Sequence, residues 1–145
     1  MKIFKELFKE LSGYQNISQA LDKNISPVSV TGLSHIHRSQ LIYALSGEKT
    51  NLVITGSEAE AKKLCDDINM MSGENTAVLF TSKELVLTSV DSSSGEYEHM
   101  RISALENAAE KKCSVLCASI EAVMQPVIPP DVLKNPVFCF LRDRK

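Results

Sequence analysis

Apolar residues return along this chain at two different spacings, and the switching between them carries most of the structural information. Ile3, Phe4, Leu7, Phe8 and Leu11 recur at steps of three and four, forming a helical stripe with the lysines opposite. Gly13 is expected to end that helix, and a stripe with two phenylalanines is expected to bury itself on its own domain. A second short helical stretch covers 18–23. Pro27 then opens Val28-Ser29-Val30-Thr31, which alternates like a strand, and Gly32 punctuates it. Arg38 to Leu45 reads as a helix with Leu41, Ile42 and Leu45 on one face and Gly47 as its stop.

Leu52-Val53-Ile54 is a continuous apolar run of the kind found in strands covered on both faces. Ser57 with Glu60 three residues later makes a capping box, and Ala61, Leu64, Cys65, Ile68 and Met71 keep helical spacing until Gly73. Ala77 to Phe80 predicts a third strand. The acidic, serine-rich stretch 81–95 holds one weak strand pattern, Leu85 to Leu87. Tyr97 to Lys112 reads as helix, with Arg101, Ala104, Leu105 and Ala108 on neighbouring turns, and leads into a fourth strand, Ser114 to Cys117. Ser119 caps a short helix whose apolar face is Ile120, Val123 and Met124 and which Pro126 stops. Pro129, Pro130 and Asp131 begin a helical turn, and Val137 to Leu141 is a last strand.

Strands alternating with helices of about ten to fifteen residues predict right-handed βαβ units around a parallel sheet, so the class is α/β. A chain of 145 residues, 43% hydrophobic, buries one core rather than two. The reading is a helical segment, 1–24, packed on an α/β domain at 25–145. An end so soon after a strand suggests a fragment of a larger multidomain protein.

Charge narrows the function. Sixteen Lys and Arg against 18 Asp and Glu leave a formal net charge of -2, with no clustered cationic stretch to coat nucleic acid. Lys2, Lys5, Glu6 and Lys9 interrupt the apolar run that a signal peptide needs, and no stretch approaches the roughly twenty apolar residues of a membrane span. Cys65, Cys113, Cys117 and Cys139 lie in apolar or helical stretches and read as small buried hydrophobes. A reducing cytoplasm fits that usage.

In an open α/β sheet, ligands sit beyond the carboxyl ends of strands, which directs attention to the turn after Thr31. Gly32-Leu33-Ser34-His35-Ile36-His37-Arg38-Ser39 matches the phosphate-loop pattern at Gly32 and Ser39. His37 stands where the second glycine belongs, and Arg38 where the lysine belongs. A left-handed conformation costs a residue with a Cβ roughly 1–2 kcal/mol, and an imidazole fills phosphate space. A planar guanidinium does not replace a compact ammonium along the β and γ phosphates. The strands Leu52 to Ile54, Val78 to Phe80 and Val115 to Cys117 are followed by no Asp-Glu pair that could hold Mg²⁺. The expectation is a degenerate loop comprising Gly32, Ser34, His37, Arg38 and Ser39, with no catalysis and no cofactor. A weaker anion site at the following helix's N-terminus stays open.

Two longer stretches then carry a resemblance. Val30-Thr31-Gly32-Leu33, Arg38-Ser39-Gln40-Leu41, Leu52-Val53-Ile54-Thr55 and Glu58-Ala59-Glu60-Ala61 with Leu64 resemble the N-terminus of bacterial transcription-repair coupling factors. Glu98-His99-Met100-Arg101, Ala104-Leu105, Val115-Leu116-Cys117-Ala118-Ser119 and Ala122-Val123-Met124-Gln125 are similar to the helix, strand and short helix that those factors share with UvrB. The likeness runs from Ser26 to Leu141. It implies a RecA-like, phosphate-loop-type parallel sheet flanked by helices, the first part of a UvrB-like module whose phosphate loop has decayed. It also implies a full-length protein that uses ATP and Mg in downstream domains to translocate on DNA. The partners implied for that protein are RNA polymerase, UvrA, DNA and its own other domains. Two departures stand out: His35 and His37 intrude where small residues usually follow the loop glycine, and Ser82-Lys83-Glu84-Leu85-Val86 replaces an aromatic-acidic stretch after the third strand.

Other constellations read as structural. His35 and His37 make half of a metal site at most, and Cys113 and Cys117 on one strand would lie about 13 Å apart, too far for one zinc. Asp66, Asp67, Glu106 and Glu110 read as solvated helix faces. The final strand or the N-terminal helix could pair between copies in a homodimer. A stand-alone nucleotide-binding domain and a nucleic-acid-binding adaptor are the competing functional readings.

Overall fold

The computed structural model describes residues 3–47, 49–82 and 94–129. Its best-formed helix, α4 (Glu58–Ser72), shows why the local sequence folds as it does. Ser57 is extended, and its side chain accepts a hydrogen bond from Glu60 N at 3.3 Å, while Glu58 and Glu60 place negative charge in the first turn. Ala61, Leu64, Cys65, Ile68 and Met71 are buried along one face. Gly73 ends the helix at φ 74, a left-handed conformation that a side chain would disfavour.

That face lies on a parallel sheet of three strands, β1 (Asn51–Thr55), β2 (Ala77–Phe80) and β3 (Val115–Ser119), in the order β1-β3-β2. Asn51 pairs with Val115 and Thr55 with Ser119, while Ala77 pairs with Val115 and Phe80 with Ala118. Because side chains alternate along a strand, odd-numbered positions share one face and even-numbered positions the other. Val53, Ala77, Leu79, Val115 and Cys117 meet α4 in one core; Val78, Phe80, Leu116 and Ala118 form a second core on the opposite face. Full burial of a side chain the size of Ile68 contributes roughly 1.5–3 kcal/mol. The class read from the sequence, α/β with a parallel sheet, is the class observed.

The helix α3 (His35–Leu45) adds Tyr43 and Ile42 to the first core, beside α4. On the second face lie α5 (Ser94–Ala109), through Ala104, Leu105 and Ala108, and the short α6 (Ile120–Met124), through Ala122 and Val123. Ser119 caps α6 by accepting from Ala122 N at 3.2 Å. The buried arrangement expected for Cys65, Cys113 and Cys117 is observed, and all three are free thiols. Cys65 and Cys117 are hydrogen-bonded to each other. Their mutual hydrogen bond, helped by burial, pushes the Cys117 thiol far up, so it keeps its proton and is inert.

Several expectations are corrected. Gly13 does not stop the first helix: α1 (Ile3–Lys9) ends earlier, and Gly13 lies in the first turn of α2 (Ser12–Asp22). Leu7 and Leu11 of the apolar stripe are 59% and 52% exposed, while the side chains of its two phenylalanines lie outside the described residues. The helix α1 packs beside α3, and its Lys5 Nζ donates to Ser46 O and lies 5.6 Å from the centroid of the Tyr43 ring. Burial pushes the Lys5 pKa down, with Lys9 adding to the effect. Val28 to Thr31 is not a strand of the sheet: it is exposed along its length, with Val28 at 37% and Val30 at 42%. Alternation shows that residues suit a strand but supplies no partner to pair with. The expected strand patterns at Leu85 to Leu87 and Val137 to Leu141, and the turn begun by Pro130 and Asp131, lie outside the described residues.

Candidate functional site

The eight residues matched to a phosphate loop do not form one arc. Gly32 has φ +78, a conformation suited to glycine, but the helix begins three residues later, at His35. Of the degenerate-loop residues, Gly32 and Ser34 therefore precede α3, whereas His37, Arg38 and Ser39 lie within its first turns. No strand of the sheet leads into the turn, since 25–31 belongs to no strand or helix. Amides that would wrap around a phosphate from a strand-to-helix loop are here already helical.

Each side chain has its own engagement. Ser34 is the N-cap residue of α3, and its Oγ lies 3.0 Å from His37 Nδ1. Arg38 N donates to Ser34 O at 3.0 Å, the first bond of the helix, and the Arg38 side chain is exposed. His35 Nδ1 is buried without a hydrogen-bond partner among the described residues. Ser39, the position where a phosphate loop presents its metal-binding hydroxyl, is fully buried; its Oγ donates to Asp67 Oδ2 at 3.1 Å, with His35 O at 3.4 Å as a second acceptor. Asp67 is thus not the solvated carboxylate that its place in the sequence suggests. It ties α4 to α3. Removing the hydroxyl in Ser39→Ala leaves Asp67 without that donor and is expected to lower stability by about 1–2 kcal/mol, read as a lower urea midpoint at unchanged slope.

The carboxyl edge of the sheet is a second polar cluster, which the sequence pattern alone does not assemble. Thr55 Oγ1 donates to Ser57 O at 2.7 Å, and Glu58 Oε2 accepts from Ser82 N at 3.0 Å and Ser82 Oγ at 2.5 Å. Arg101 is 4% exposed. Its Nη1 donates to Thr81 O and, at 3.4 Å, to Ala122 O, and its Nη2 reaches Pro126 O at 3.5 Å. The guanidinium lies 4.1 Å from the centroid of the Phe80 ring. Burial pushes the Arg101 pKa down, and Glu58 offsets part of that. Here the polar groups bind one another. A signal was present: an arginine on a stripe with Ala104, Leu105 and Ala108 needs a buried set of acceptors.

An open groove of about 220 Å³ runs between α5 and 126–128, lined by Ile102, Leu105, Val127 and Ile128 with Glu98 and Arg101 at its edge. It lies on the α5 side of the sheet, whereas the turn at Gly32 leads into α3 on the opposite side. The structure therefore does not bring groove and turn together. Among the described residues no group of three His, Cys, Asp or Glu side chains is placed to hold a metal ion.

The chain aligns along nearly its whole length with part of one much longer protein. It is similar to the transcription-repair-coupling factor of Bacillus subtilis (strain 168). Identity is 23% over 137 residues, which is 93% of this chain and 12% of the relative. No family model matches, and no solved structure matches. None of the helices among the described residues is long and apolar enough to cross a membrane.

Proposed function

We propose that this chain is a non-catalytic structural and interaction module of a transcription-repair coupling factor. The observation that carries the reading is the alignment with the Bacillus subtilis factor over 93% of the chain. The site chemistry supports it. Ser39 is engaged by Asp67, α3 begins before His37, and Glu58 at the edge of the sheet is engaged by Ser82. On this reading the full-length protein is a cytoplasmic, ATP-dependent DNA translocase that displaces stalled RNA polymerase and recruits excision repair through UvrA. This segment serves its other domains and holds neither the nucleotide nor its metal.

Titration of the full chain with ATP and Mg²⁺ in a calorimeter tests it. No binding heat is expected at millimolar nucleotide, and no phosphate release. Restoring the loop residues by the double substitution His37→Gly with Arg38→Lys is expected to leave binding undetectable. The serine would still be turned toward Asp67, and the turn would still lack a strand to anchor it. The glycine within a helical turn would in addition cost about 1 kcal/mol of stability. Tight, Mg²⁺-dependent nucleotide binding by the unmodified chain would overturn the reading in favour of a nucleotide-binding domain.

A further inference from the structure

Two of the buried thiols meet inside one core. Cys65 lies on the buried face of α4, Cys117 lies on the face of β3 that α4 covers, and helix and strand are in direct contact. Cys117 has no exposed surface, while Cys65 is 6% exposed, so Cys65 is the one of the pair that solvent touches. Cys65 Sγ faces two donors. Asn69 Nδ2, one turn further along α4, approaches it at 3.7 Å, and the Cys117 thiol is hydrogen-bonded to it. Donors aimed at a sulfur favour its thiolate. The bond from Cys117, with Asn69 adding to it, holds the Cys65 thiol below its ordinary pKa and outweighs burial and the Asp66 carboxylate, which push it up. Cys113, just before β3, has the opposite balance: burial pushes its thiol up. Cys117 therefore keeps its proton for the pair, and Cys65 gives one up most readily of the three.

The thiolate is the form that oxidants attack, so this division of roles selects Cys65 as the point of entry. A nearly closed site suits a small hydroperoxide. With hydrogen peroxide, Cys65 Sγ attacks one oxygen, the O–O bond breaks, and the departing hydroxide takes up a proton as water, leaving a sulfenic acid on Cys65. Cys117 does not meet the oxidant itself, but its sulfur already lies against that of Cys65. It attacks the sulfenic sulfur; the S–S bond forms, the S–O bond breaks, and the Cys117 proton leaves with the hydroxyl as a second water. Closing two hydrogen-bonded sulfurs to a bond of about 2.05 Å takes a displacement on the order of 2 Å, shared between two elements already in contact.

We propose that Cys65 and Cys117 are an oxidation site, which a small hydroperoxide converts to a disulfide that ties α4 to the central strand β3. Held there, α4 keeps its contacts through Asp67 to Ser39 and through Asn69 to Ala77. The bond is a latch that closes under oxidising conditions and opens again when a thiol reductant returns. The proposal holds whichever function the domain serves.

The full, unmodified chain is treated with hydrogen peroxide without denaturant, and its cysteines are followed by mass spectrometry. The peptides containing Cys65 and Cys117 are expected to become linked at least about 10-fold faster than Cys113 is oxidised, and dithiothreitol is expected to separate them. In the linked form the amides of α4 are expected to exchange with deuterium more slowly than in the reduced form. Cys117→Ala is expected to stop the reaction at a sulfenic acid on Cys65 that dimedone traps, and Cys65→Ala to leave Cys117 reduced. Bonds from Cys65 to Cys113 or Cys139 would overturn the proposal. So would a bond that forms only in urea, because the unfolded chain would then be its source. A link that leaves α4 exchange unchanged would show that it is no latch.

Discussion

Arg101→Met is expected to destabilise the domain by about 3 kcal/mol, seen as a lower urea midpoint with the slope unchanged. Two terms oppose each other. Removing the guanidinium relieves the cost of burying a cation, and a methionine side chain can still lie against Phe80. Against this, Thr81 O loses a charged donor, Ala122 O and Pro126 O lose longer ones, and a buried carbonyl left unpaired costs about 1–3 kcal/mol. The second term wins because one guanidinium joins carbonyls from three separate places, the residue after β2, α6 and the segment after it. Arg101→Lys separates charge from shape. An ammonium keeps the charge but has no planar fork to span two directions, so it is expected to recover less than half of the loss. Equal stabilities for Arg101→Met and the unmodified chain would show that the carbonyls find other donors and that the cation is incidental.

How much of this architecture the sequence made legible depended on how far apart the interacting residues lie. Cap, apolar face and stop of α4 are all contained within Ser57 to Gly73, so its limits could be read directly. The same holds for α6, whose cap Ser119 binds an amide three residues on. Strands were legible only as patterns. Ala77 to Phe80 and Val28 to Thr31 both suit a strand, and the second fails because pairing depends on a distant segment. Leu52-Val53-Ile54 was legible as a strand but not as an edge, since a continuous apolar run records compatibility with two covered faces without showing that both are covered.

The candidate site was legible in its residues and illegible in its geometry. Reading His37 and Arg38 as wrong for a phosphate loop needed only side-chain chemistry. That Ser39 turns inward toward Asp67, 28 positions away, could not be read from spacing, because either residue alone is ordinary on a helix surface. Arg101 and its acceptors are separated by 20 to 25 positions, and Glu58 from Ser82 by 24. Such polar pairs leave no periodic trace. Their one local signature is a charged or polar residue on an otherwise apolar stripe, which marks Arg101 but not Glu58 or Asp67.

Asn69→Ala is the second substitution with a large expected effect, a loss of about 2–3 kcal/mol. The amide makes two bonds to the backbone of Ala77, at 2.8 and 2.9 Å, reproducing for one residue the ladder that a neighbouring strand would provide. Ala77 is 3% exposed, so its N–H and C=O cannot both be rehydrated without opening the contact between α4 and β2. Two unpaired backbone groups at about 1–3 kcal/mol each set the upper bound, and partial rehydration at a half-buried site lowers it. Asn69→Asp distinguishes the two bonds. A carboxylate can still accept from Ala77 N but meets Ala77 O with a second oxygen, so it is expected to cost at least as much as alanine. The same substitutions are expected to unmask the edge of β2, giving faster deuterium exchange at the Ala77 amide and a greater tendency to self-associate than in the unmodified chain. A stability within about 0.5 kcal/mol of the unmodified chain for Asn69→Ala would mean that the edge is protected by something other than this side chain.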